Sequence, residues 1–206
     1  MLFRSVGRLA AGAQLNVVPP VSKPVSLAFD GNSVLWVVEE SGLLVAIPPS
    51  GRPEVIEVSG LNGAETLSLA VPSRDGTRVA MLVNNGPRTT LLLGRVIRPA
   101  GAGASSVIVE EPIRVESKLV EVLDVAWSGA DTVTVLGSET AGSVQVEIVD
   151  LGRGSMIGRG APEGPVSLAA APGFPTLVAG SDGVVFENSS GMWDVKVNAR
   201  SPAYPG

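Results

Sequence analysis

The stretch SLAVPSRDGTRVAMLVNNGPRTTLLLGRV, residues 68–96, decides the fold. Three runs rich in apolar and β-branched residues are separated by Asp75-Gly76 and Gly86-Pro87, which is the pattern of strands joined by tight turns. Glycine accepts a positive φ without a Cβ clash and aspartate bonds its own backbone, so Asp75-Gly76 reads as the first turn. VAMLV at 79–83 and VLWVV at 34–38 are apolar throughout rather than alternating, so their strands are expected to bury both faces. No segment of the chain sustains a 3.6-residue period.

The stretch has siblings. Ser26-Leu27-Ala28, Ser68-Leu69-Ala70, Asp124-Val125-Ala126 and Ser167-Leu168-Ala169 each open a module, at steps of 42, 56 and 43 residues. The long step contains Arg98–Glu111, RPAGAGASSVIVEE, which reads as an insertion. Looser first turns occur at Asp30-Gly31, Ser128-Gly129 and Pro172-Gly173. Strands are expected at about 25–29, 34–38, 43–47 and 54–58 in the first module, and about 66–71, 77–84, 89–98 and 106–116 in the second. The third gives about 121–127, 132–137, 143–150 and 155–158, and the fourth about 166–170, 175–179, 183–187 and 192–197.

Four-stranded modules recurring at this period predict an all-β fold, a β-propeller with four four-stranded blades at about 25–59, 64–116, 121–160 and 165–200. A two-sheet sandwich is the alternative. Residues 2–18, LFRSVGRLAAGAQLNVV, resemble the third and fourth strands of the first module, LVAIPPSGRPEVIEV at 44–58. They read as a hairpin, the remnant of a preceding blade. On this reading residues 1–206 form a single partial propeller domain that starts mid-blade, as the C-terminal portion of a longer polypeptide.

Composition removes whole classes of function. With 45% hydrophobic and 17% charged residues the chain has the balance of a folded globular protein. Net charge is −5 and no basic cluster interleaves with aromatics, so nucleic acid is not expected as a partner. The absence of every Cys and His excludes thiol and imidazole catalysis, disulfides and the usual zinc ligands. No apolar run is long enough to span a bilayer and the N-terminus lacks a continuous apolar core, so neither signal peptide nor anchor is read in this chain.

Catalytic motifs are missing as well. There is no G-x-S-x-G, S-x-x-K or P-loop, and GRGSMIG at 152–158 has the wrong spacing for a dinucleotide fingerprint, reading instead as a hairpin turn. Glycoside hydrolysis needs two carboxylates facing one cleft. On the inner strands only Asp124 qualifies, its counterparts being Ser26, Ser68 and Ser167; Glu65 and Glu121 sit at strand starts, while Glu39-Glu40 and Glu110-Glu111 read as solvated loops. Arg88, Arg95 and Arg98 could recognise carboxylates on a partner, but solvated arginines are the favoured reading. Asn188-Ser189-Ser190 reads as a polar turn and Trp193-Asp194 as a strand-end pair. No catalytic, metal-binding or cofactor-binding residue is assigned, no enzyme activity is expected, and the partner-binding residues are left unassigned.

SRDGTRVAML at 73–82 resembles the first turn of TolB-like propeller repeats, with Arg74 where proline is usual. Taken in order, LSLAVPSRDGTRVAMLV at 67–83, LLLGRV at 91–96, LDVAWSGADTVTVL at 123–136 and the terminal AYPG at 203–206 resemble the C-terminal β-propeller of LpqB-type actinobacterial lipoproteins, over about residues 25–206. The resemblance implies an exported, lipid-anchored protein of the cell envelope with a GerMN-type domain ahead of the propeller. It also implies a protein partner, the ectodomain of an MtrB-type sensor histidine kinase, and hence a non-enzymatic interaction module. A propeller that binds glycan or peptide is the alternative function, and a hydrolase comes third.

Overall fold

The computed structural model describes residues 7–9, 15–17, 21–49, 51–98, 107–117, 119–140, 143–151, 156–189 and 191–198. The described residues hold no helix and form antiparallel meanders. β1 (Gly7–Leu9) and β2 (Leu15–Val17) make a two-stranded sheet, with Arg8 opposite Asn16. The first blade is β3 (Pro24–Phe29), β4 (Leu35–Glu39), β5 (Leu44–Ile47) and β6 (Glu54–Ile56). The second is β7 (Thr66–Pro72), β8 (Arg78–Asn85), β9 (Arg88–Ile97) and β10 (Ile108–Arg114). The third is β11 (Glu121–Trp127), β12 (Thr132–Thr140), β13 (Ser143–Asp150) and β14 (Met156–Gly160), and the fourth β15 (Pro165–Ala169), β16 (Thr176–Gly180), β17 (Val184–Ser189) and β18 (Met192–Asn198). Four separate four-stranded sheets in sequential order are propeller blades and replace the sandwich alternative.

The chain divides into two compact units, Met1–Val115 and Glu116–Gly206. In the first, blades one and two pack face to face through Trp36, Val38 and Leu44 on one side and Val79, Met81 and Leu92 on the other, all buried. Burial of each such side chain contributes roughly 1.5–3 kcal/mol. Within blade two Gly94 leaves room for its neighbours, because a Cβ there would stand 2.5 Å from Val109 Cγ1 and 3.1 Å from Met81 Cε. In the second unit Leu136 and Val146 of blade three pack on Leu168 and Val178 of blade four.

Burial on both faces holds for the middle strands β4, β5 and β8 but not for every first strand. Val25, Leu27 and Phe29 of β3 are 54–59% exposed, whereas Ser26 on the face toward β7 is buried. The expected insertion also ends earlier than its sequence suggests: Ile108–Arg114 is the fourth strand of blade two, and residues 99–106 lie outside the described residues.

Each first strand carries a register shift: between Pro24 and Ser26, Leu67 and Leu69, Val122 and Asp124, and Pro165 and Ser167. These bulges place Ser26, Leu69, Asp124 and Ser167 at equivalent positions, opposite Val38, Leu82, Leu136 and Ala179. The counterpart of Asp124 in blade two is therefore Leu69 and not Ser68. Ser68 is the bulged residue itself, and its hydroxyl donates to the Leu82 carbonyl at 3.3 Å.

Candidate functional site

Asp124 is the acid that sequence analysis singled out, and the structure shows what occupies it. Oδ1 accepts from its neighbour Val125 N at 2.8 Å, while Oδ2 accepts from Leu168 N at 2.7 Å and from Ser167 Oγ at 3.1 Å. Asp124 reaches across to β15 of the next blade through the Leu168 amide and the Ser167 hydroxyl, so the carboxylate works as a clip between β11 and β15.

The remaining acids do not converge on it. Glu121 opens β11 as expected and is exposed. Glu65, just before β7, has a side chain only 3% exposed; it accepts from Asn62 N at 3.0 Å and from Arg114 Nη2 at 2.6 Å. The bond from the Asn62 amide, with the Arg114 guanidinium beside it, holds its carboxyl below the ordinary carboxylate range. Glu39 ends β4 and accepts from Ser22 N at 3.1 Å, and Glu40 in the following turn pairs with Lys23 at 2.6 Å. Glu110 and Glu111 are strand residues of β10 rather than a loop, next to the bulge that Pro112 occupies. Among the described residues no group of three or more acids, His or Cys stands close enough to hold a metal ion.

The three arginines taken together in sequence are separated in space. Arg88 opens β9 opposite Asn85, Arg95 lies toward the other end of the same strand, and Arg98 follows it. Arg98 folds back on the chain: Nη2 pairs with Asp30 Oδ2 and Nη1 donates to the Gly76 carbonyl. Asp30, whose side chain is fully covered, also accepts from Asn32 N at 2.9 Å, Val34 N at 3.0 Å and Trp36 Nε1 at 3.1 Å. This hub links the first turns of blades one and two. Sequence reading took Asp30-Gly31 as a turn and missed the hub; the signal was an aspartate six residues before a tryptophan that needs an acceptor.

The motif turn behaves as its sequence implies. Gly76 takes φ +68°, and Asp75 accepts from Ser73 Oγ at 2.6 Å, Thr77 N at 3.0 Å and Thr77 Oγ1 at 2.9 Å. The Ser73 hydroxyl first, then the Thr77 amide, hold the Asp75 carboxyl below its ordinary range. A carboxylate with a depressed folded pKa adds stability above its unfolded pKa, near 4, and loses it as pH falls through the folded value. Asp75→Asn is therefore expected to cost about 1 kcal/mol at pH 7. The gap to the parent should close in strong acid when both are followed by urea unfolding.

The other motifs are structural too. Asn188 and Ser189 end β17, where Asn188 Oδ1 accepts from Gly191 N at 3.2 Å, and Ser190 lies outside the described residues. Within GRGSMIG, residues 152–155 lie outside them and Met156–Gly158 begin β14. Trp193 lies near the start of β18, and its Nε1 donates to the Gly160 carbonyl at the end of β14.

Residues 12–205 match the family described as the lipoprotein LpqB beta-propeller domain. The chain is 36% identical over 177 residues to lipoprotein LpqB of Thermobifida fusca, covering 84% of this chain and 26% of that protein. Against lipoprotein LpqB of Streptomyces avermitilis identity is 29% over 219 residues, with 98% of this chain and 35% of that protein covered. The chain thus spans between a quarter and about a third of the length of these relatives. Among solved structures, a candidate 6-phosphogluconolactonase from Bacteroides uniformis superposes with TM-score 0.61 at 12% identity, over 93% of this chain and 63% of that one. The Dos1 propeller gives 0.60 at 13%, over 91% and 50%. At such identities the likeness concerns the fold alone.

Proposed function

The chain belongs to the lipoprotein LpqB β-propeller family, and on that premise we propose that it is a non-enzymatic protein-interaction module of the cell envelope that modulates an MtrB-type two-component sensor histidine kinase. The carrying observation is the family match over residues 12–205. Its relatives bear the name lipoprotein, which supports a lipid-anchored place outside the cytoplasm. In this reading residues 1–206 belong to one propeller domain.

The state of the acids supports a non-catalytic role. Both oxygens of Asp124 are engaged by the chain itself, and Glu65 is paired with Arg114. Acid and base chemistry requires groups turned toward a substrate, and these two are spent on contacts within the chain. In this reading no cofactor is needed, and the loops joining strands at one rim make the contact, since a propeller holds such loops rigidly.

A signalling contact of modest area predicts about micromolar affinity. The test is calorimetric titration of the purified sensor-kinase ectodomain into the full-length lipoprotein, with a glycan panel in parallel. Ectodomain binding is the expected result. Glycan binding without ectodomain binding would replace this reading with a carbohydrate-binding propeller, and silence in both would end it.

A further inference from the structure

Two Asn-Gly steps occur in the chain, Asn62-Gly63 and Asn85-Gly86, and their surroundings differ. Asn62 is tied into a closed turn: its N–H donates to Glu65 Oε2 at 3.0 Å, its carbonyl accepts from Glu65 N at 3.0 Å, and its side-chain Oδ1 accepts from Ala64 N at 3.1 Å. Asn85 closes the β8–β9 hairpin opposite Arg88, which leaves Gly86 and Pro87 as a two-residue loop. Gly86 takes φ +59°. Proline holds φ at about −65°, so only the first central residue has a positive φ, as in the type II′ hairpin turn. Asn84 is held by Thr89, whose hydroxyl donates to its Oδ1 at 3.1 Å, whereas among the described residues the Asn85 side-chain amide and the Gly86 N–H have no hydrogen-bond partner. Both residues are exposed, and a Cβ on Gly86 would meet no atom within 4 Å, so water and base reach this tip freely.

We propose that Asn85 is a site of covalent modification, deamidated through a succinimide by water and base without an enzyme. The Gly86 backbone nitrogen, after losing its proton to base, attacks Asn85 Cγ. The bond from that nitrogen to Cγ forms, the bond from Cγ to Nδ2 breaks, and the side-chain nitrogen leaves as ammonia. Water then opens the ring at either carbonyl. Cleavage at Cγ restores the main chain and gives aspartate; cleavage at the main-chain carbonyl leaves the chain running through Cβ and Cγ, as isoaspartate. The sum is one water consumed and one ammonia released, with no change of oxidation state. A glycine on the C-terminal side favours the attack because no Cβ shields its nitrogen.

The extended backbone of β8 holds the Gly86 nitrogen away from Asn85 Cγ, so the end pair of the hairpin must open before the ring closes. An exposed hairpin end is where such opening costs least. At Asn62 the turn's own bonds must break first, including the one that fixes the side-chain carbonyl. The two products affect the tip in different ways. Aspartate places a carboxylate directly opposite Arg88, a favourable cross-strand pair. Isoaspartate adds a carbon to the main chain beside a two-residue loop whose length sets the register of β8 and β9. Either product makes the β8–β9 tip more acidic.

The test incubates the full chain in mildly alkaline buffer, with a second sample in urea, and follows both by peptide mass mapping. Trypsin releases residues 79–88, between Arg78 and Arg88, so Asn84 and Asn85 are read in one peptide. Electron-transfer fragmentation assigns the modified residue and tells aspartate from isoaspartate. Each native rate is taken relative to the rate of the same step in urea, where no turn or strand protects it. On that scale Asn85 should react roughly tenfold faster than Asn62 or more, the factor that the loss of one hydrogen bond sets. Asn85→Gln, which would have to close a larger ring, should remove the acidic form that isoelectric focusing shows for the parent. Asn85→Asp should melt with the parent, because its carboxylate faces Arg88. An Asn85 that stays amidated in the native chain while it reacts in urea would overturn the proposal, since the hairpin would then be protecting it. Equal or faster native reaction at Asn62 would do the same.

Discussion

Replacing Asp30 by Ala should destabilise the chain by about 3–5 kcal/mol, the cost of breaking a buried charged pair by removing one partner. The side chain is wholly covered and accepts from two backbone amides, the Trp36 indole and the Arg98 guanidinium. Alanine leaves all four donors in place, and the indole belongs to the fully buried Trp36 at the heart of the first unit's core. Asp30→Asn should cost less, because its amide oxygen still accepts from one side while its NH2 opposes the remaining donors. Arg98→Met should cost less again, since three donors still satisfy the carboxylate and the arginine is partly solvated, with 28% of its side chain exposed. Urea denaturation of the three variants would show this order. Equal stability of Asp30→Ala and the parent would mean that the hub does not hold the turns together.

Much of this fold was legible because its signals are local. Gly-containing turns between apolar runs placed all sixteen blade strands close to where they lie, and the resemblance to LpqB-type propellers agrees with the family match. Where the reading failed, the cause was non-local or a matter of register. The triplet Ser68-Leu69-Ala70 copies Ser26-Leu27-Ala28 in letters but sits one residue out of step, and only the bulge opposite Val83 and Leu82 reveals it. Because side chains alternate along a strand, one residue of slip exchanges the two faces. Glu110-Glu111-Pro112 has the composition of a loop, yet β9 pairs with residues on both sides of it, and the bulge absorbs the proline. Arg98 and Asp30 are 68 positions apart, and no local pattern announces their meeting.

The arginines illustrate the same limit for function. In sequence Arg88, Arg95 and Arg98 are neighbours, but β9 carries the first to one end of the blade and Arg98 is drawn into an internal ion pair. Arg78, 17 positions from Arg95, becomes its direct neighbour through the β8–β9 hairpin. Distance along the sequence therefore does not say which charges meet; strand register does.

Asp124→Ala is expected to cost about 3 kcal/mol, from two backbone amides and a hydroxyl that lose their charged acceptor. The loss should be local before it is global. Leu168 N belongs to β15, whose attachment to blade three runs through this carboxylate and the apolar contact of Leu136 and Val146 with Leu168. Hydrogen exchange over residues 165–169 should accelerate more than exchange in β8, a middle strand of the other unit. Asp124→Asn retains one good acceptor and should cost roughly half as much, and Ser167→Ala, which removes only the 3.1 Å bond, less than 1 kcal/mol or so. If the proposed ectodomain contact exists, all three variants should keep it once folded, because the carboxylate is spent on the blade junction. If Asp124→Asn kept full stability and slow exchange at Leu168 yet lost binding to a partner or glycan, the inner-strand acid would be a ligand contact, and its bonds to β15 would be the means of aiming it.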